Sequence, residues 1–174
     1  MSSAKAKWYV LQVKTGTEID VAAELQKRGY WAVVPVENRL IRRGGTWIQQ
    51  PYVVFTGYVF IYVDYNWAKY YAMSGIRGVI KILGGGKEPV CLSSDESDFI
   101  LELTDLLIAP SVIRFNEDGS FEVISGFLSE ISDRIVKIDK HAKRATIKVT
   151  IGGATKNIKV SINTEEQTPE QTED

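Results

Sequence analysis

The pattern of apolar and polar positions divides the chain into elements. Trp8 to Val13 (WYVLQV) is rich in aromatic and β-branched residues and predicts a strand. After a turn at Thr15 and Gly16, Glu18 to Arg28 carries Ile19, Ala22, Ala23 and Leu25 at helical spacing and stops at Gly29, a favoured helix terminator. Tyr30 to Val36 reads as a second strand, and Arg42, Arg43, Gly44 and Gly45 form the tip of a hairpin. Tyr52 to Val63 (YVVFTGYVFIYV) is the core of the sheet, with Gly57 where a strand bends or bulges. A short helix is expected over Asn66 to Ser74 and a strand over Val79 to Leu83. Ser93 opens a further helix, with Glu96 three residues on completing a capping box and Ile100, Leu101, Leu103 and Leu107 on its buried face.

This order predicts an α+β first domain over 1–108, with helices packed on an antiparallel sheet. Residues 109–119, with Pro110 and Gly119 among polar positions, read as a linker. Over 120–163 the runs FEVI, RIVKID, ATIKVTI and NIKVSI, parted by turns, predict a small β-barrel. The end of the chain, 164–174 (TEEQTPEQTED), has no apolar residue to pack and is expected to be disordered.

Composition changes this picture in one respect. The 174 residues are 44% hydrophobic and 25% charged, enough to bury a core, and the net charge is only −1. That total conceals 8 Lys/Arg against 4 Asp/Glu over 120–163, followed by 5 acidic and no basic residues over 164–174. The barrel is therefore basic and the tail acidic.

Candidate chemistry is sparse. One cysteine, Cys91, forms no internal disulfide, and with the single histidine, His141, it is too few ligands for a structural zinc site, so neither metal nor cofactor is expected. No apolar run of the ~20 residues that span a bilayer is present, which points to a cytoplasmic protein that does not enter membranes. Gly84-Gly85-Gly86-Lys87 lacks the spaced first glycine of a phosphate-binding loop and is followed by Glu88 rather than Ser or Thr, so it reads as a turn. With no nucleophile, base and orienting group to assemble, an enzyme is not expected.

Four stretches carry a family resemblance: Trp8-Tyr9-Val10 with Gly16 and Glu18; Pro35-Val36-Glu37; Gly57-Tyr58-Val59-Phe60; and Gly78-Val79 followed by Leu83-Gly84-Gly85, continued by Pro89 and Ser93 to Glu96. In order and spacing they resemble the amino-terminal (NGN) domain of the NusG family of transcription elongation factors. Gly126 to Ser161 is similar to the KOW domain of that family, a five-stranded SH3-like barrel. Three departures, Asp133 for a glycine, Gly126-Phe127-Leu128 for Gly-Pro-Phe, and Thr56 for a proline, point to a specialised paralog of the RfaH or LoaP kind.

The resemblance implies that Tyr58 and Phe60, with Ile82 and Leu83 as neighbours in one surface, grip the clamp helices of the largest RNA polymerase subunit. It implies contact of Lys69, Tyr70 and Tyr71 with the polymerase gate loop and the non-template strand, where a cation beside two aromatics suits an unstacked base. Arg42 and Arg43 at the hairpin tip are candidates for DNA phosphates. Phe127, Leu128 and Ile131 lie on the loop through which family barrels bind ribosomal protein S10 or Rho.

The residues themselves add a basic face: Arg134, Lys137, Lys140, His141, Lys143, Arg144, Lys148, Lys156 and Lys159. Such a density of cations attracts a phosphate backbone through counterion release, with RNA as the expected partner, including a structured leader element. A solvated barrel exterior is the plainer alternative. The function expected is operon-specific transcription elongation or antitermination by a monomer. The alternatives are a general factor working with Rho or S10, and a free or ribosome-associated RNA-binding protein. The Val, Ile and Thr content of the strands favours a barrel that stays a barrel.

Overall fold

The computed structural model describes residues 5–107 and 109–165. Its first sheet is formed by β1 (Lys7–Val13), β2 (Trp31–Val33), β5 (Tyr58–Val63) and β6 (Val79–Ile82), in the order β2-β5-β1-β6, with each neighbouring pair antiparallel. Between β2 and β5 a separate hairpin of β3 (Val36–Arg43) and β4 (Thr46–Val53) extends from the domain. Its turn is Gly44-Gly45, with φ of 57° and 81°, the left-handed conformation that tight hairpins require. The helices are α1 (Glu18–Lys27), α2 (Trp67–Ser74) and α3 (Ser94–Leu106).

Strand alternation divides the sheet into two faces. Tyr9, Leu11, Val13, Val59, Ile61 and Val63 join Val21, Ala22 and Leu25 of α1 and Met73 of α2 in one apolar cluster. Trp8, Val10 and Phe60 belong to a second cluster that also holds Ile100 and Leu103 of α3. A buried carboxylate fixes the start of α1: Glu18 accepts from the backbone N–H of Gly16 (3.0 Å) and of Gly57 (2.9 Å), joining the glycine turns that follow β1 and precede β5 at the same end of the sheet. The capping box forms as expected, with Ser93 Oγ accepting from Glu96 N (3.2 Å) and Glu96 Oε1 from Ser93 N (2.8 Å).

The second sheet comprises β7 (Ser111–Phe115), β8 (Phe121–Ser125), β9 (Ile135–Asp139), β10 (Arg144–Ile151) and β11 (Ala154–Thr164), in the order β8-β7-β11-β10-β9. It curls around Ala145, Ile147, Val149 and Ile151 of β10 and Ile158, Val160 and Ile162 of β11. The mixed α+β class is as expected, but several boundaries differ. The stretch 109–119 is not a linker throughout: Pro110 and Gly119 bracket β7, which pairs parallel with the end of β11 and supplies Ile113 to the core. Thr164 is buried in that pairing and Glu165 accepts from Arg114, so the expected disordered tail begins no earlier than 166, and 166–174 lie outside the described residues. Tyr52 to Val63 is two strands, because the chain turns at Gly57 (φ 83°). The second strand expected over Tyr30 to Val36 is only Trp31–Val33, with Val36 opening the hairpin. Among the described residues no helix is long and apolar enough to cross a membrane.

Candidate functional site

The second face of the first sheet is where the two sheets meet. Strand register brings Trp8 opposite Tyr62, Val10 opposite Phe60 and Gln12 opposite Tyr58, so Tyr58, Phe60 and Tyr62 share one face of β5. Phe60 is fully buried, contrary to its expected outward placement, because the turn after β4 returns Phe55 against it, edge to face at 5.3 Å between ring centres. Tyr58 is half-buried, and its ring lies under Lys156 of β11, whose Nζ is 3.9 Å from the ring centre. At the other end Trp8, Trp31 and Tyr62 form an aromatic trio with centres 4.9 to 5.5 Å apart, Trp31 remaining more than half exposed on the edge strand β2. The surface is thus half covered by the barrel and half open.

Ile82 does not share it. Paired with Leu11, it faces α1 and α2 and is fully buried, whereas Leu83, one residue on, turns to the Tyr58 side. Successive residues of a strand point to opposite faces, so Ile82 and Leu83 cannot line one surface.

Besides Lys156 over Tyr58, the barrel docks at three places. The β10–β11 hairpin places Gly152 against Val90 and Leu83; a Cβ at Gly152 would stand 2.7 Å from Val90 Cγ1. Gly153 N donates to Glu96 Oε2 (3.2 Å). On β3, Glu37 is only 4% exposed and accepts from Ser161 N (3.0 Å) and Ser161 Oγ (2.9 Å) of β11, and from Arg39 Nε. Burial, and then the nearby Arg39, pushes the Arg144 guanidinium below its usual pKa, an effect that Glu37 partly offsets. The third place is a stacked cation, Arg134 over the Phe99 ring of α3 at 4.5 Å. Between sheet and hairpin a cleft of about 460 Å³ remains, lined by Tyr58, Leu83, Gly84 and Val90 on one side and by Ile151, Gly152 and Ala154 to Lys156 on the other.

The nine expected RNA-binding residues therefore separate. Lys137 and Lys159 both lie opposite Thr146, on neighbouring strands of the outer barrel face, with Lys148 two residues further along β10 on the same face. All three are exposed. Lys140, His141 and Lys143 occupy the β9–β10 turn, where Asp139 accepts from Ala142 N (2.9 Å) and Lys143 takes a φ of 57°. That hydrogen bond, with Lys137 adding, holds the Asp139 carboxyl below its usual pKa. Lys140 also lies 5.1 Å from the Phe115 ring centre. Arg134, Arg144 and Lys156 instead turn towards the first domain.

Of the loop residues, Phe127 and Leu128 are buried, with Leu128 N donating to Ser111 Oγ (3.1 Å), so neither is offered to a partner; Ile131 is half-buried. Arg42 and Arg43 are exposed at the hairpin tip. On α2, Lys69 Nζ donates to the Asp64 carbonyl (2.9 Å) instead of standing over a ring. Tyr71, 66% exposed, stacks on Trp67, their ring centres 5.6 Å apart and planes 27° from parallel. Tyr70 packs beside Gly86, where a Cβ would come within 2.9 Å of it, which gives the triple glycine a packing role. Sequence reasoning missed Trp67, the Trp8–Trp31–Tyr62 trio and Glu37. The aromatic richness of WYVLQV and the Pro-Val-Glu motif were the available signals.

A family model described as "Transcription termination factor nusG" matches residues 6–101. The chain is 28% identical over 166 residues to the transcription termination/antitermination protein NusG of Thermus thermophilus, covering 84% of this chain and 90% of that protein. It is 26% identical over 158 residues to the Bacillus subtilis protein of the same description, covering 84% and 89%. A solved structure described as "Domain interaction in Thermotoga maritima NusG" matches with a TM-score of 0.51 at 19% identity, over 92% of this chain and 96% of that one, a likeness of fold.

Proposed function

The chain belongs to the NusG family of transcription termination and antitermination factors, and from that premise we propose that it is an operon-specific elongation factor holding RNA polymerase through its first domain and RNA through its barrel. The observation that carries this reading is the aromatic face of Trp8, Trp31, Tyr58 and Tyr62, which α1 and α2 do not use. Buried aromatic anchors dominate interface energetics, and here they line one side of a single sheet. Phe60 is the floor of this surface and Leu83 its rim; the clamp helices are the proposed occupant. The stacked Trp67 and Tyr71, with Tyr70 behind them, offer a platform for an unstacked base of the non-template strand, and Arg42 and Arg43 offer phosphate contacts.

The action proposed is occupancy without chemistry. A factor bridging the clamp to the far side of the cleft disfavours the open, pause-prone polymerase, while the attached barrel meets RNA at raised local concentration. The outer lysines Lys137, Lys148 and Lys159 supply a phosphate-binding surface, favouring RNA over Rho or ribosomal protein S10, especially since Leu128 is tucked under the barrel. Capture of purified, RNA-free polymerase on the immobilised full chain tests the reading. Tyr58→Asp together with Trp31→Ala is expected to lower capture by at least about tenfold. Undiminished capture would refute the proposed surface.

A further inference from the structure

The cleft between the first sheet and the β10–β11 hairpin has apolar walls and a single charge. Leu83 and Val90 line it from one side, Ile151 and Ala154 from the other, and the one charged side chain on its lining is Lys156. That ammonium takes no acidic partner within 4.0 Å among the described residues; it rests on the Tyr58 ring, 3.9 Å from the ring centre. A volume of about 460 Å³ falls within the range of small-molecule sites, which form at domain interfaces from mainly apolar walls and a few convergent polar groups.

The walls themselves are tight. A Cβ at Gly84 would stand 2.6 Å from Val90 Cγ2, and one at Gly152 would stand 2.7 Å from Val90 Cγ1, so the backbone on both sides runs as close to Val90 as glycine permits while the space beside it stays free. Water gains little there, because apart from Lys156 the side chains on the lining offer it only the hydroxyls of Thr155 and Tyr58. A rigid apolar ring displaces such water at small entropic cost. An anionic group on that ring also engages the ammonium, whose N–H donors a ring face leaves free, and a charge-assisted hydrogen bond beside apolar walls is stronger than one in water. A nucleotide suits the cleft less well, since its sugar hydroxyls would lie unpaired against Leu83 and Val90.

We propose that the cleft is a binding site for a small aromatic carboxylate, with its ring between the Leu83–Val90 and Ile151–Ala154 walls and its carboxylate on Lys156. Because the walls come from both domains, the ligand also ties the β10–β11 hairpin to the first sheet, and mass action strengthens that contact as the site fills. The inference goes beyond the proposed function and depends on neither RNA nor polymerase.

Cinnamate, with neutral cinnamamide as its uncharged counterpart, is the probe, titrated into the full chain and followed by NMR. Cinnamate should bind saturably and shift the amides of Leu83, Val90, Gly152 and Thr155, with cinnamamide about tenfold weaker. At saturation cinnamate should slow exchange of the Gly153 amide, which donates to Glu96 across the same contact. Lys156→Met keeps a side chain that packs on Tyr58 and should bring cinnamate down to the affinity of cinnamamide, leaving cinnamamide unchanged. Ala154→Phe, at an exposed position of the lining, should fill the cleft and remove binding of both. Absence of saturable binding, shifts confined to residues outside the cleft, equal affinity for acid and amide, or undiminished cinnamate binding by Lys156→Met would each overturn the proposal.

Discussion

The two faces of the first sheet are built from the same strands and differ in what covers them. Leu11, Ile61 and Val63 meet α1 and α2 mainly through apolar contact, with Leu25 and Met73 fully buried among them and the polar contacts, Glu18 to Gly57 and Gln26 to Ala32, kept to the ends of α1. The opposite face, together with α3 and the β3–β4 hairpin beside it, meets the barrel through a mixture: Glu37 of the hairpin bonded to Ser161, cations over Tyr58 of the sheet and Phe99 of α3, one glycine approach, and a cleft left unfilled. Close-packed apolar contact is costly to part, because parting it exposes surface to water with nothing in return. Charged and polar groups regain water when separated, so the second contact is the one suited to being exchanged for another.

Mutations on the two faces should therefore register in different measurements. The largest effect is expected from Ile61→Ala, which leaves a void against α1 and costs about 2–5 kcal/mol in denaturant unfolding of the full chain. Glu37→Ala removes the acceptor of Ser161 and the partner of Arg39; it should weaken docking by about 1–3 kcal/mol, read as faster exchange of the Ser161 amide, with the Leu11 and Ile61 amides unaffected. Gly152→Asn keeps a residue tolerant of the positive φ (59°) but presses a Cβ onto Val90, so docking should weaken by about 1–2 kcal/mol, with faster exchange at Gly153. Glu24→Ala on the solvent side of α1 breaks only the exposed pair with Arg28 and should change stability by less than about 0.5 kcal/mol in the same unfolding experiment. If Glu37→Ala lowered global stability as much as Ile61→Ala, the distinction between the faces would fail.

What could be read in advance followed from local chemistry. The capping box of Ser93 and Glu96, α1 with its stop at Gly29, and the alternation of β10 and β11 each depend on residues a few positions apart. The strand Ser111–Phe115 was hidden because a proline and a glycine flank it and only one of its partners, β8, is near in sequence; the other, β11, lies some fifty residues away. Phe60, Ile82 and Leu128 were identified as apolar residues but placed on the surface, since which face of a sheet is left free depends on what returns over it: Phe55, α1 with α2, and the barrel core respectively. The contact of Glu37 with Ser161 joins positions 124 residues apart and leaves no mark in the sequence near either.

The early start of β7 has a consequence for reach. Only positions 107–110 separate the last residue of α3 from Ser111, a span of about 17 Å when pulled straight. A detached barrel would swing like a gate on a short strap, sweeping a narrow arc beside the sheet it has left.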